Sequence, residues 1–145
     1  VSFGVGDNEA KRVGGAFESL LIAELGKRFG TIWVDRGAGG EEARRVTAAA
    51  GATGCVQFWE GSFAGFASII SQSDLYVGYD SAGQHAAAAA GIPSVTIFAG
   101  APSARFRTRW AADGDKSAVC IDCEGLTAGE TLAAVVTQFK QTKPE

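Results

Sequence analysis

The 145-residue sequence contains no methionine, only three prolines and no cluster of lysine and arginine. It has no apolar stretch close to the ~18 residues that a membrane-spanning helix needs, and no amino-terminal signal pattern. With 13 basic and 16 acidic residues the net charge is −3 and the pI is near 5.2. Nucleic-acid-binding domains normally carry a basic surface, which is missing here. These absences predict a soluble protein that does not bind nucleic acid. Because the chain starts at Val1 and lacks methionine, we expect it to be processed or part of a longer protein.

Cysteine is also scarce, and the three residues cannot form an even set of disulfides. Cys120 and Cys123 have the C-x-x-C spacing of a redox pair or of half a zinc site. A zinc site needs two further ligands, and Cys55 and His85 are the candidates that remain. Since free cysteine behaves as a small buried hydrophobe, we interpret the three thiols as half-buried packing residues.

Short apolar runs alternate with amphipathic stretches along the chain. The predicted strands cover residues 1–5, 31–34, 55–58, 75–77, 94–98 and 118–121, and the predicted helices lie near residues 17–29, 41–50, 63–70, 81–90 and 127–140. The strands are continuously rather than alternately apolar, which indicates a parallel sheet covered by helices on both faces. We therefore predict one α/β domain with a Rossmann-like, doubly wound sheet over residues 1–145. Most of the 20 glycines fall between these elements, as expected for turns and helix ends.

Ligands of such sheets bind beyond the carboxyl ends of the strands, and the turn at residues 78–85 is the one richest in candidates. Asp80 and Ser81 occupy the position of a helix N-cap, and Ala82 and Gly83 leave the first amides uncovered. A helix start with small residues is a ready anion site, because its free N–H groups and the helix dipole favour negative charge. His85, on the first turn, is placed to donate a hydrogen bond to the same anion.

Other catalytic motifs fail in this sequence. A serine-hydrolase turn needs glycine two positions before the serine, where Tyr79 stands, and a separate histidine that the chain lacks. The run that begins at Gly4 lacks the third glycine of a dinucleotide fingerprint, and no phosphate-binding P-loop motif is present. A hydrolase, a nicotinamide enzyme and a P-loop nucleotidase are thus disfavoured.

Several charged residues keep two interpretations. Lys11 either neutralises a diphosphate at the Ser81 helix or is simply solvated. Glu41 either accepts hydrogen bonds from ribose hydroxyls or only stabilises a helix dipole. Arg105, Arg107 and Arg109 follow the strand at 94–98 and either close over a phosphate or form an interface.

The same residues resemble a known family. The resemblance lies in residues 60–63, in 69–85 with the sequence ending Gly-Tyr-Asp-Ser-Ala-Gly-Gln-His, in 86–98 and in 101–106, with residues 3–6, 11–12 and 37–42 in the expected order. This pattern is similar to that of glycosyltransferase family 9, the bacterial heptosyltransferases that build the lipopolysaccharide core from ADP-heptose. The family has a GT-B fold of two Rossmann-like domains, and the resemblance is to the C-terminal, donor-binding one.

The resemblance implies a role for each candidate residue. Ser81, Ala82 and Gly83 would bind the diphosphate with His85 nearby, and Lys11 would balance its charge. Glu41 would hold the ribose, and Asp80 would face the donor sugar. No catalytic residue is expected in this chain, because the general base would lie in an N-terminal acceptor domain outside it.

The implied reaction is an inverting, metal-independent transfer in lipopolysaccharide or cell-surface glycan synthesis. The donor it implies is a nucleotide-diphosphate sugar of the ADP-heptose type. We expect no metal and no other cofactor, and a cytoplasmic location with peripheral contact at the inner membrane. Two alternatives stay open: a noncatalytic nucleotide-binding or interaction module with the same fold, and a GT-B enzyme that uses a UDP-sugar.

Overall fold

A computed structural model describes residues 1–37, 39–51, 53–100, 103–112 and 118–139 of the chain. Strands and helices alternate throughout this part. The strands are β1 (Ile32–Asp35), β2 (Val56–Trp59), β3 (Tyr76–Tyr79), β4 (Ser94–Phe98) and β5 (Ala118–Asp122). The helices are α1 (Phe17–Gly26), α2 (Gly40–Ala50), α3 (Phe63–Ile70), α4 (Ala82–Ala89), α5 (Ala104–Trp110) and α6 (Ala128–Phe139), with a short 3₁₀ turn at Glu9–Lys11. None of these helices combines the length and apolarity needed to cross a membrane in the part of the chain that is described.

All strand pairs are parallel, and the sheet has two parts that meet at Ser2. One part is β1 with β2, and the other is β3, β4 and β5 in that order. Ser2 forms single bridges to Asp35 of β1 and to Gly78 of β3. The chain therefore runs outward in both directions from Ser2, and this reversal of strand order is the topological switch point of a doubly wound sheet. The predicted fold class is confirmed.

The predicted first strand over residues 1–5 is wrong in extent, since it contributes only the bridges at Ser2. The Ser2 amide donates to the Val77 carbonyl at 3.1 Å, and its carbonyl accepts from the Tyr79 amide at 3.2 Å. Beyond Ser2 the chain turns away, and Gly6 takes a φ of 57° that favours glycine.

Helices cover both faces of the sheet and form two apolar clusters. Helices α1, α2 and α6 pack together on one face, where Phe17, Leu21 and Val135 are among the buried side chains. Helices α3 and α4 pack on the other face around Phe66 and Tyr76. Strands β3 and β4 are buried along their whole length, as predicted for continuous apolar strands, whereas β1, β2 and β5 each include exposed residues.

Tyr76 fixes where helix α4 begins. Its side chain is 1% exposed and crosses the first turn of the helix, so that a Cβ added at Gly83 would lie 2.5 Å from Cζ and closer still to the hydroxyl. A Cβ at Gly78 would lie 2.7 Å from the same hydroxyl. Glycine at both positions lets the tyrosine ring, the strand and the helix start lie in direct contact.

Candidate functional site

A cavity of about 290 Å³ lies at the carboxyl edge of the sheet, where the strand order reverses. Its walls include Ser2 of the junction, Glu42 of α2, Trp59 at the end of β2, and the α4 start from Ser81 to Gly83. The structure thus brings Ser81, Ala82 and Gly83 together at the predicted place. Another cavity, of about 230 Å³, lies at the amino edge of the sheet beside Val1 and far along the strands from these residues.

The start of α4 presents backbone rather than side chain to the cavity. Ser81 occupies the N-cap position in an extended conformation, and its side chain makes no capping hydrogen bond. Its hydroxyl instead lies 3.4 Å from the hydroxyl of Tyr76. Ala82 is exposed and Gly83 is buried beneath the Tyr76 ring, so the side chains of these two helix residues extend no further than a methyl group. This geometry suits an anion held by backbone N–H groups.

Lys11 and Asp80 meet beside this helix start. The Lys11 ammonium lies 3.0 Å from a carboxylate oxygen of Asp80, and it also donates to the Asp80 carbonyl at 3.5 Å. The Asp80 residue is only 4% exposed. Burial raises the pKa of its carboxyl group, and the hydrogen bond and charge of Lys11 oppose that rise. Asp80 is thus the buried partner of a cation next to the cavity, and neither residue is among those that line it. The contact of Asp80 with a donor sugar stays a prediction.

The two glutamates at the start of α2 take different positions. Glu41 is exposed and lies in a neighbouring cleft of about 730 Å³. Glu42 lines both this cleft and the 290 Å³ cavity, and its carboxylate accepts from the Val5 amide at 3.1 Å. It fills the space over Gly37, which has a φ of 73°. The ribose role of Glu41 stays a prediction, whereas Glu42 is a cavity carboxylate that the sequence reasoning missed.

His85 lies on the first turn of α4 but outside the cavity lining. Its ring is exposed and makes an edge contact with Trp110 of α5, with ring centroids 5.3 Å apart and an interplanar angle of 89°. The preceding residue, Gln84, is fully buried and accepts from the Ala112 amide at 3.3 Å. Two successive residues of α4 therefore hold the end of α5, a helix that the sequence did not predict. Phe106 stacks on Trp110 at 6.1 Å within it.

A sequence model of glycosyltransferase family 9 (heptosyltransferase) matches residues 23–124, which is more than two thirds of the chain. The chain belongs to this family. The match includes the Glu41–Glu42 turn, the α4 start and all of α5, and begins after Lys11. The resemblance stated from the motifs is confirmed, while the position of Lys11 depends on the geometry alone.

Two solved structures share the fold of this family 9 chain. The Escherichia coli heptosyltransferase WaaC with ADP-2-deoxy-2-fluoro heptose matches with a TM-score of 0.73 and 19% identity, over 97% of this chain and 41% of that chain. The structure of WaaC with ADP matches with a TM-score of 0.79 and 19% identity, over 98% and 43% of the two chains. The present chain thus spans about two fifths of the length of these proteins. No curated protein sequence gives a significant match.

The three arginines after β4 differ in whether they form ion pairs with the rest of the chain. Arg107 forms ion pairs of 3.1 Å with both Asp122 and Glu124, which tie α5 to the end of β5. Arg105 and Arg109 are exposed. The phosphate and interface interpretations stay open for these two, but Arg107 has an evident structural partner.

The cysteines do not form a metal site within the described residues, where no group of three or more metal-type side chains occurs. Cys55 and Cys123 are partly buried against the larger core, which agrees with the packing interpretation. Cys120 is exposed on β5, so the same interpretation is wrong for it. Burial raises the pKa of the Cys123 thiol, and this makes it a poor nucleophile at neutral pH.

Proposed function

We propose that this chain is the donor-binding half of an inverting, metal-independent glycosyltransferase that acts in lipopolysaccharide or cell-surface glycan synthesis. The proposed donor is a nucleotide-diphosphate sugar of the ADP-heptose type. The observation that carries the proposal is the cavity at the strand-order reversal, into which the uncapped start of α4 opens between Ser81 and Gly83. Membership of family 9 and the adenine nucleotides present in both WaaC structures support this choice of donor.

The proposed chemistry of the site is leaving-group stabilisation. Glycosyl transfer breaks the bond between the anomeric carbon and the diphosphate oxygen, and negative charge grows on the departing nucleoside diphosphate. Amides at the α4 start, fixed by the packing of Tyr76 on Gly83, would meet that charge without reorganisation. The Lys11 ammonium, 3.0 Å from Asp80, would add a cation at the edge of the same anion.

In this proposal the nucleoside of the donor lies in a different part of the cavity from the diphosphate. Trp59 and Phe63 offer aromatic surface on one wall, and Phe63 is 50% exposed. Glu42 offers a carboxylate on another wall, and in this proposal it takes the place of Glu41 as the acceptor for the hydroxyl groups of a ribose, because Glu41 does not line this cavity. We assign the nucleoside to this end because the α4 start, with its small residues, suits the diphosphate better than a base.

The attacking side of the reaction is proposed to lie outside this chain. An inverting transfer needs a general base on the face of the sugar opposite the leaving group. In the proposed enzyme a second domain holds both the acceptor hydroxyl and this base, across a cleft from the α4 start. The chain alone is then expected to bind nucleotide without catalysing transfer.

Calorimetric titration with ADP, UDP and GDP tests the proposal. We expect saturable binding with ADP preferred, and Lys11→Ala to weaken it by about 10- to 100-fold, the range for losing one charge-assisted hydrogen bond. Lys27→Ala is the matched control, since Lys27 pairs with Glu24 on an exposed part of the chain. Absence of saturable binding would favour a noncatalytic interaction module, and a preference for UDP would favour a UDP-sugar donor.

A separate experiment tests whether donor binding is independent of a metal ion. The sequence contains Asp113-Gly114-Asp115, which has the Asp-x-Asp spacing of metal-binding pairs and lies outside the described residues. Titrations with EDTA and with excess Mg²⁺ should give the same ADP affinity. A strict requirement for Mg²⁺ would refute a metal-independent donor site.

A further inference from the structure

Glu18, the second residue of α1, is a buried acid outside the cavity. The residue is 6% exposed, although an unpaired buried carboxylate is strongly unfavourable. It does not line any of the three cavities described above. A carboxylate buried in this way is stable only if hydrogen-bond donors or positive charges contact it.

Three donors from three different segments surround the Glu18 carboxylate. One oxygen accepts from Arg12 Nε at 3.2 Å and from the Tyr79 hydroxyl at 3.1 Å. The other accepts from Arg45 Nη1 at 2.5 Å, while Nη2 of the same guanidinium donates to the Phe3 carbonyl at 2.9 Å. The Glu18 carboxylate of α1 thus connects three segments: the one that carries Arg12, helix α2 and strand β3.

Two of these partners are the chain neighbours of the ion pair at the site. Arg12 directly follows Lys11, and Tyr79 directly precedes Asp80. One carboxylate oxygen therefore holds, side by side, the two backbone segments that carry the cation and its acidic partner. A second tie runs between the same segments, because the Val13 amide donates to the Tyr79 hydroxyl at 3.2 Å.

We propose that Glu18 is a positioning residue that holds Lys11 against Asp80 and so sets the place of the cation at the α4 start. The link to donor binding rests on the proposed function, while the positioning of the ion pair does not. Glu18 acts through Arg12 and Tyr79, and no contact with a ligand is part of the proposal.

The sign of a shift in the Asp80 titration separates positioning from simple electrostatics. In Glu18→Gln the loss of a nearby negative charge would by itself lower the pKa of Asp80, since like charges disfavour ionisation. Release of Lys11 would raise it by about one unit or more, since an opposite charge in contact lowers a carboxyl pKa by about 1–3 units. The other charged groups in this network are Glu9, Arg12 and Arg45, and all are unchanged in the variant.

Carbon-detected NMR titration of the carboxyl groups, with Asp80→Asn for assignment, measures this shift. We expect the Asp80 pKa to rise in Glu18→Gln and to stay at the wild-type value in Glu24→Gln. Glu24 is a matched control on the same helix, paired only with the exposed Lys27 among the interactions above. An unchanged or lowered pKa in a folded Glu18→Gln variant overturns the proposal.

Tyr79→Phe keeps the experiment decisive where Glu18→Gln does not fold, as far-UV circular dichroism would show. It removes the hydroxyl that joins Glu18 to β3 and to Val13 and leaves every charge in place. The same upward shift of the Asp80 pKa is expected, with a smaller size because the Arg12 contact remains. No shift in this variant overturns the proposal equally.

A double-mutant cycle on ADP affinity tests the link to the donor. Glu18→Gln should weaken ADP binding by about 3- to 10-fold in the wild-type background and have no further effect in Lys11→Ala, because residues that act through one another are not additive. Equal losses in both backgrounds overturn a role through Lys11. If the wild-type chain binds no ADP, the proposed function fails, and the Asp80 titration still decides whether Glu18 sets the ion pair.

Discussion

Replacement of Gly83 by alanine should destabilise the protein, although alanine is the better helix former. The added methyl group would lie 2.5 Å from Cζ and 2.7 Å from Cε2 of Tyr76, and closer still to its hydroxyl. These are atoms of a rigid ring that is 1% exposed, so it cannot swing into solvent. The hydroxyl of the ring also lies over Gly78, where an added Cβ would be 2.7 Å from it.

The expected size follows from two opposing terms. Alanine in place of glycine stabilises a helix by about 0.5–1 kcal/mol, while overpacking a well-packed core costs about 1–3 kcal/mol. A clash with a buried ring belongs at the upper end of that range, which leaves a net loss of about 2 kcal/mol. For a chain of this length, each kcal/mol corresponds to roughly 2–4 °C in the melting temperature, so a decrease of about 4–8 °C is expected.

Thermal melts and urea unfolding of Gly83→Ala and Gly129→Ala measure this difference. At Gly129 in α6 the nearest atom to an added Cβ is the Thr127 hydroxyl at 4.0 Å, so this control should be stabilised by about 0.5–1 kcal/mol. Tyr76→Phe should restore part of the stability lost in Gly83→Ala, because it removes the nearest atom. A Gly83→Ala protein as stable as wild type would refute the account of how α4 is positioned.

Two further measurements test the packing around the site. Burial raises the pKa of Tyr76 to about 12 and that of Tyr79 higher still, and these are the two tyrosines of the chain. The raised pKa of Tyr76 contributes about 3 kcal/mol to the free energy of unfolding. This contribution is present below pH 10 and lost between pH 10 and 12, because the unfolded side chain ionises first. Absorbance at 295 nm should therefore show tyrosinate only as far-UV circular dichroism is lost, and a titration near pH 10 in the folded protein would contradict this. Trp110→Ala should move the NMR signals of the His85 ring and Trp110→Phe should return them toward wild type, since the ring contact is aromatic; identical spectra in all three proteins would contradict the contact.

Local sequence patterns predicted most of the fold. The strand at Ser94–Phe98 has the predicted bounds, because five consecutive buried residues between turns leave little choice. The α3 helix begins where Ser62 caps it, with its hydroxyl accepting from the Gly65 amide. Helix α5 was missed because its apolar signal is only Phe106 and Trp110, and its position is fixed by Gln84 and His85 of another helix.

The candidate site could be predicted only where its chemistry is local. The small residues after Ser81 are a local signal, and the structure places them in the cavity. The burial of Asp80 and the positions of Glu18 and Glu42 depend on distant segments: Lys11 lies 69 residues from Asp80, and Glu42 binds the amide of Val5. In the sequence Glu41 and Glu42 are equivalent neighbours, and only the tertiary contact distinguishes them.

The bridges at Ser2 have a consequence for how binding and rigidity are coupled. The two strand groups of the sheet meet at Ser2, and the cavity lies directly above this junction. Glu42 forms its wall on the side of one strand group, and the α4 start forms its wall on the side of the other. A molecule that contacts both walls joins the two strand groups across the junction at Ser2. The exchange rates of the Ser2 and Tyr79 amide protons with solvent would then fall in proportion to the unoccupied fraction of the cavity, so these two amides report whether the cavity is filled.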